Sequence, residues 1–220
     1  MLLWIKGCPS PQEIRNKLKN GDAKFQKALV DYLENAHTGD FLTGTIDEVR
    51  EKVYGDSGNE ERSQPDPTLF LPAHPPDICA NEHCKGCSKC PEKEKWLEAY
   101  KDEVDNLVLR SNVHSCRVSS KAKSCITADG TCAARFPRDL HEKTTIDPED
   151  GHIDMKKKEQ FINTFSPPLS MLMRSNTDTT SLLSGTAVKA VISYVTDYVT
   201  KQSLKTHQLF STAYEVLQRQ

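Results

Sequence analysis

Residues 91–110 read PEKEKWLEAYKDEVDNLVLR and carry the helical periodicity on which the fold class rests. Proline suits the first turn of a helix, where its missing N–H has no partner to lose. Apolar residues then recur every three or four positions, which places them on one side of a helix. The segment therefore predicts a long amphipathic helix from Pro91 to about Arg110. Its apolar side consists of Trp96, Tyr100, Val104 and Leu107 or Val108.

Three shorter helices are predicted on the amino-terminal side of this one. Ser10 caps a helix and forms a capping box with Glu13, three residues later. Thr45 and Glu48 form a second capping box, which opens a short helix. Between the two boxes, apolar residues at helical spacing predict another helix. These residues are Phe25, Leu29, Tyr32, Leu33 and Ala36.

The other segments show weaker signals. Residues 1–7 are typical of a buried strand that ends at a glycine turn, and residues 55–78 are rich in proline and glycine, as in a linker or long surface loop. Residues 144–146 and 152–154 flank an acidic turn with a glycine and can form a hairpin. The pattern over residues 161–183 is ambiguous.

The composition bounds the class of protein. The chain has 220 residues, 36% of them hydrophobic, and a mean hydropathy of −0.61, which indicates a modest core with long polar connections. No apolar run approaches the ~20 residues of a membrane span. The net charge of −2 combines an acidic half, residues 1–110, with a basic half, residues 111–220. The basic half suits a phosphate backbone, but an ordinary mixed surface explains it equally well.

Eight cysteines are present, and seven of them fall into two sets with metal-ligand spacing. Without a secretory signal, they are expected to be thiols in a reducing compartment rather than disulfides. Zinc favours four soft ligands in a tetrahedron, and short spacings let a loop wrap around the ion. The first set is Cys79, Cys84, Cys87 and Cys90, with His83 as a substitute ligand. The second set is His114, Cys116, Cys125 and Cys132.

Both sets predict structural Zn²⁺, which would hold loops that a small core cannot hold alone. The sequence leaves two alternatives open. One is that the thiols are redox-active or merely buried. The other is a single zinc site that draws its ligands from both sets.

The segment SYVTDYVTK, residues 193–201, carries two tyrosines and a lysine. Its β-branched residues favour a strand, whereas the apolar positions from Val188 to Val199 cluster on one face of a helix. On a helix, Tyr194, Tyr198 and Lys201 lie along one side, and a strand would separate them. Only the helix makes these three groups one site.

Tyr-x3-Tyr-x2-Lys on a helix resembles the third motif of the Helitron-type rolling-circle initiator domain. Further segments resemble the Helitron proteins of fungal genomes, so that the resemblance covers nearly the whole chain. These segments are LRSNVH (109–114), CAARFPR (132–138), INT (162–164), Pro168-Leu169, RSNTD (174–178) and LSGTAVKA (183–190). Residues 1–7 resemble the strand that follows the family's His-hydrophobic-His motif.

The resemblance implies an endonuclease of the His-hydrophobic-His (HUH) class. In that class two histidines hold Mg²⁺ or Mn²⁺ against the scissile phosphate, and a tyrosine attacks to leave a 5′-phosphotyrosine link. Tyr194 and Tyr198 would be the catalytic nucleophiles, and Lys201 would neutralise phosphate charge. A tyrosine pKa of ~10 makes the phenol a poor nucleophile, which the metal offsets.

The sequence departs from the family in two respects. None of its seven histidines lies two positions from another, so the His-hydrophobic-His motif is absent, and so is the phosphate loop of the helicase. The chain is therefore expected to begin just after the first motif, to end before the second, and to be inactive alone. Its expected location is the nucleus, where the family acts on DNA.

The expected partner is single-stranded DNA, bound weakly and without sequence preference; neither a membrane nor a small-molecule substrate is expected. The DNA-binding candidates lie in or beside the second cysteine set. They are Arg117, Lys121, Lys123, Arg135 and Arg138. Two other functions stay open: a zinc-stabilised DNA-binding or interaction module without catalysis, and a nuclease with metal ligands such as Asp197 and His207.

Together these observations predict an α+β fold. It would be a mainly helical fragment of an HUH-endonuclease-like α/β domain, with zinc-binding cysteine-rich loops. Residues 1–54 would form a truncated edge of the nicking domain and residues 55–78 a linker or loop. Residues 79–143 would form the cysteine-rich insertion with the long helix, and residues 144–220 the remainder of the nicking domain with the two-tyrosine helix.

Overall fold

The computed structural model describes residues 6–55, 64–76, 91–116, 125–183 and 185–200. The chain divides into two compact units. The larger unit is Leu18–Ser181, and the smaller combines Met1–Lys17 with Leu182–Gln220.

The described residues form six α-helices and one two-stranded antiparallel sheet, which makes the fold α-rich and of the α+β class. The helices are α1 (Pro11–Lys19), α2 (Ala23–Ala36), α3 (Ile46–Tyr54), α4 (Pro91–Ser111), α5 (Pro167–Met173) and α6 (Gly185–Thr200). The strands are β1 (Thr145–Ile146) and β2 (Ile153–Asp154), with Ile146 opposite Ile153. The predicted hairpin is thus confirmed, whereas most of the predicted strand at residues 1–7 lies outside the described residues.

Helix α4 is the centre of the larger unit. Its carboxyl-terminal half is buried on every side, since the six consecutive residues from Val104 to Leu109 are all buried. This half packs mainly against α3 and α5. The core that forms around it contains Phe41, Val49, Val53, Val104, Leu107, Val108, Leu109, Ile162, Phe165 and Met171. The amino-terminal half is more exposed, and there Trp96 stacks on Tyr100.

The predicted capping boxes are present and explain where two helices begin. The hydroxyl of Thr45 accepts the backbone N–H of Glu48, whose carboxylate in turn accepts the backbone N–H of Thr45. Ser10 and Glu13 make the same reciprocal pair ahead of α1. Each box satisfies two N–H groups that the first turn of a helix leaves without an intrahelical partner.

Part of the proline-rich segment is anchored on α4. Pro67 is buried in a single 3-10 turn, Pro67–Leu69. The backbone oxygens of Gln64 and Pro65 accept hydrogen bonds from Arg110 and Asn106, respectively. The prediction of a linker or loop from composition therefore missed that residues 64–69 belong to the packed unit.

Asp105 is the buried acidic residue of α4, and it ties a neighbouring loop to the helix. Its carboxylate accepts the backbone N–H groups of Leu42 and Thr43, both at 2.8 Å, and the Thr43 hydroxyl at 2.7 Å. Burial raises the pKa of this carboxyl, and the three donors oppose the rise. The loop before α3 therefore depends on one side chain from a residue more than sixty positions away.

We predict that Asp105→Asn destabilises the fold by about 1–3 kcal/mol, because an amide nitrogen would face a buried N–H donor and leave it without an acceptor. Asp102→Asn is the matched control on the same helix. Asp102 accepts a hydrogen bond from Lys52 at the surface, so its replacement should lower the free energy of unfolding by less than about 1 kcal/mol. Urea denaturation of both variants measures the difference; equal midpoints would contradict the role assigned to Asp105.

Candidate metal centre

The end of α4 delivers His114 to the site. Just past the helix, the side-chain amide of Asn112 donates to the backbone oxygen of Thr177 at 2.8 Å and accepts the Thr177 N–H at 3.4 Å. The N–H of His114 donates to the oxygen of Phe161 at 2.7 Å. These contacts of the Asn112 side chain and the His114 backbone fix the path of the chain on both sides of residue 113.

The loop between Cys125 and Cys132 is a tight hairpin that brings its two sulfurs together. Thr127 and Thr131 are linked by a backbone hydrogen bond of 2.8 Å, and the turn passes through Gly130 at φ +81°. That positive φ suits glycine, which lacks the Cβ that would clash there. The N–H of Ala133 donates to the oxygen of Cys125 at 2.7 Å and closes the hairpin.

One nitrogen and three sulfurs converge. His114 Nε2 lies 3.2 Å from Cys116 Sγ, 3.4 Å from Cys125 Sγ and 3.3 Å from Cys132 Sγ. All four ligand atoms lie within 4.8 Å of one another. A tetrahedral zinc site with ordinary bond lengths separates its ligand atoms by roughly 3.6–3.8 Å. The four side chains can therefore hold a metal ion after small adjustments.

The sulfurs differ in their affinity for protons. The backbone N–H of Phe136, the Cys116 thiol and the N–H of Ala134 lower the pKa of Cys132 to about 6. The pKa of Cys116 rises to about 12, through desolvation and through its neighbours Cys132 and Cys125. Since Cys116 is exposed, we assign most of the rise to those sulfurs. The lowered pKa of Cys132 favours its thiolate, the form in which cysteine binds metals.

An aromatic residue and an arginine adjoin the cluster. The ring of Phe136 stacks on the His114 imidazole, with centroids 4.2 Å apart and an interplanar angle of 10°. The guanidinium carbon of Arg138 lies 4.5 Å from the Phe136 centroid. Charge in the sequence predicted Arg138 as a DNA-binding residue. Phe136 was not predicted as a site residue, although its position four residues after the last cysteine of the set could have indicated it.

The structure brings together all four members of the second cysteine set. The first set, Cys79, Cys84, Cys87 and Cys90, lies outside the described residues, as does His83. Among the DNA-binding candidates, Arg135 is exposed and Arg138 is half-buried. Arg117, Lys121 and Lys123 are also outside the described part of the chain.

The tyrosine segment is helical, as the positions of its apolar residues indicated. Helix α6 places Tyr194 and Tyr198 four residues apart, and Tyr194 is exposed. Lys201 follows the helix and lies outside the described residues. The alternative of a strand for this segment is therefore wrong.

A scan against protein-family models and searches of curated proteins and of solved structures each find no match to this chain. Within the described residues, no helix has both the length and the apolar character needed to cross a membrane.

We predict that purified protein carries between one and two zinc ions, one of them bound by the His114 cluster. Cys132→Ser should lower the zinc content by about one ion per chain, because serine does not supply a thiolate. Cys8→Ser is the matched control, since Cys8 is an exposed thiol outside the cluster. Elemental analysis of reduced protein measures the content, and equal zinc in both variants would remove this site assignment.

Proposed function

We propose that this chain is the tyrosine-bearing part of a Helitron-type rolling-circle initiator, stabilised by zinc at His114, Cys116, Cys125 and Cys132. The convergence of these four ligands is the observation that carries the zinc site. The sequence motifs and the helical form of residues 185–200 support the rolling-circle assignment.

Zinc is the metal that the ligand chemistry favours. Three sulfurs and one imidazole suit zinc, whereas Mg²⁺ and Mn²⁺ prefer oxygen ligands. Four protein ligands leave no open position for water or substrate, so the ion would be structural. It would fasten the segment that follows α4 to the Cys125–Cys132 hairpin.

The proposed chemistry is strand cleavage by tyrosine. The hydroxyl of Tyr194 or Tyr198 would lose its proton to solvent, and its Oη would attack phosphorus to form the P–O bond of a 5′-phosphotyrosine. The bond between phosphorus and the 3′ oxygen would break, and that oxygen would take up a proton from solvent and leave as a hydroxyl. Lys201 would offset charge on the phosphate. Family members use Mg²⁺ or Mn²⁺ between paired histidines; this sequence contains no such pair, so we assign the ion no residue here.

Single-stranded DNA is the proposed partner, and the nucleus the proposed location. Arg135 is exposed beside Cys132, where it can meet a phosphate. Arg138 is instead engaged with Asn163 through Nε and Nη2 at 3.1 and 2.8 Å. Of these two arginines, Arg135 is therefore the better candidate for contact with DNA.

A second candidate function is a zinc-stabilised DNA-binding or interaction module without catalysis. The absence of a His-x-His pair from the sequence favours it. The two proposals differ in whether Tyr194 and Tyr198 ever form a bond with DNA.

We predict that this chain by itself forms no covalent adduct with a labelled single-stranded oligonucleotide. Joined to a strand that bears the family's two histidines, it should form a 5′-phosphotyrosine adduct in Mg²⁺ or Mn²⁺. Tyr194→Phe or Tyr198→Phe should abolish or alter that adduct, because phenylalanine has no attacking oxygen. Denaturing gels detect the linked DNA.

Tyr32→Phe is the matched control, since Tyr32 is an exposed tyrosine outside the motif. An adduct that persists in the Tyr194→Phe/Tyr198→Phe double variant would overturn the assignment of these residues. No adduct in the joined protein under any of these conditions would favour the module without catalysis.

We also predict weak binding of single-stranded DNA that falls steeply with salt, because bound phosphates release counterions. Arg135→Ala should weaken the affinity several-fold at low salt and reduce the salt slope. Arg50→Ala is the control, since Arg50 is an exposed arginine that pairs with Asp47 on α3, far along the chain from the hairpin. Fluorescence anisotropy measures both; an affinity that does not change with salt would contradict the proposed partner.

A further inference from the structure

The stacked pair of His114 and Phe136 lies against the proposed metal centre. The rings are close to parallel, at 10°, and the imidazole edge that carries Nε2 faces three sulfurs. Phe136 is half-buried, and its own N–H group points at the Cys132 sulfur. One residue therefore contacts two ligands of the centre, the first through its ring and the second through its backbone.

Ring orientation decides whether a histidine can bind a metal. The lone pair of Nε2 lies in the plane of the imidazole, so a rotation of the ring turns it away from the ion. Rotation about the bond between Cβ and the ring has broad, shallow preferences. A flat neighbour at stacking distance restricts this rotation, and aromatic pairs favour the offset parallel arrangement seen here.

Arg138 holds Phe136 in turn. Its guanidinium lies over the phenyl ring, and two of its nitrogens donate to the same oxygen of Asn163. Its backbone N–H donates to the oxygen of Gln160 at 2.9 Å. The side chain of Arg138 is thus fixed at both ends, and a fixed planar cation restrains the ring that it covers.

Hydrogen bonds continue from Asn163 to the carboxylate of Asp178, an exposed residue. The Asn163 amide nitrogen donates to Asp178 Oδ2 at 3.0 Å, and Asp178 compensates part of the charge of Arg138. The backbone N–H of Thr179, the next residue, donates to Thr164. Phe136 and Arg138 are therefore held by a segment of the larger unit that carries no metal ligand.

We propose that Phe136, held by Arg138 and Asn163, is a positioning residue that presets the His114 imidazole for metal binding. The inference rests on the proposed zinc site and goes beyond it, since it names which residues outside the ligand set control affinity. Groups that orient metal-bound histidines typically change affinity by about 10- to 100-fold when they are removed.

The test compares variants by Co²⁺ titration, visible absorption of the Co²⁺ complex, and Zn²⁺ competition. Phe136→Leu keeps an apolar side chain but removes the flat face; we expect an affinity loss of about 10- to 100-fold and an altered Co²⁺ spectrum. Phe136→Tyr keeps the ring and should match the wild type. Phe70→Leu, at an exposed phenylalanine outside the site, is the matched control and should also match it.

Arg138→Gln removes the guanidinium that lies over Phe136 but leaves the stacked phenyl ring itself in place. We expect a several-fold loss of affinity and a changed Co²⁺ spectrum. Arg138→Lys should show the same changes, because an ammonium group cannot reproduce the planar fork of the guanidinium. If circular dichroism of the metal-free protein shows that Phe136→Leu does not fold, Arg138→Gln still tests the positioning role.

Two results would overturn the proposal, and they are distinguishable. If His114→Ala and Cys132→Ser abolish Co²⁺ binding but Phe136→Leu and Arg138→Gln leave affinity and spectrum unchanged, the positioning role is wrong and the zinc site stands. If the wild type binds no Co²⁺ or Zn²⁺, or binds it equally well without these ligands, both proposals are wrong.

Discussion

The burial of the carboxyl-terminal half of α4 is the constraint on which the larger unit depends. Six consecutive buried residues can be accommodated only if other segments cover the helix on all sides. Helices α3 and α5 supply part of that cover, and the Gln64–Leu69 segment supplies more. Because Asp105 lies within this half, its desolvated carboxylate must find donors, and the loop before α3 provides them.

The position of the candidate metal centre follows from this packing. Helix α4 ends at Ser111, and the contacts of Asn112 with Thr177 carry the chain out of the core to His114. The Cys125–Cys132 hairpin has few apolar residues of its own, so it has little burial to hold it in place. A metal ion with four protein ligands would supply that stabilisation directly, as structural zinc does in other small loops. Packing and the proposed metal ligation would thus have complementary roles along one stretch of chain.

The chemistry of the chain divides between its two units. The cysteine–histidine cluster lies in the larger unit, where its sulfur and nitrogen ligands could hold a metal ion. The two tyrosines lie one helical turn apart on α6 of the smaller unit, and the proposed function makes them the attacking groups. The proposed rolling-circle function needs both units, since the larger would supply a stable scaffold and the smaller the attacking oxygens. The module without catalysis needs only the larger unit.

Local signals in the sequence determined much of the secondary structure, although they did not predict α5, which lies within the ambiguous residues 161–183. The capping boxes at Ser10 and Thr45, the long amphipathic segment after Pro91 and the short hairpin all depend on residues a few positions apart, so each can be read without the fold. The helical form of the tyrosine segment followed from the spacing of its valines. The second ligand set was predicted from its residue types and from the close His114–Cys116 pair, although its other spacings are looser than those of the first set.

Only the tertiary structure decided which distant groups meet. Nothing near Asp105 in the sequence indicates that Thr43 satisfies it. Composition indicated a linker or long surface loop at residues 55–78, but it did not indicate that Gln64 and Pro67 are packed. Arg138 looked like a DNA ligand by charge, yet its guanidinium is held by Asn163 and covers Phe136. The physical reason is common to all three: a side chain that folding removes wholly or partly from water must pack or find a partner, and the partner is chosen by proximity in the folded chain, which sequence spacing does not encode.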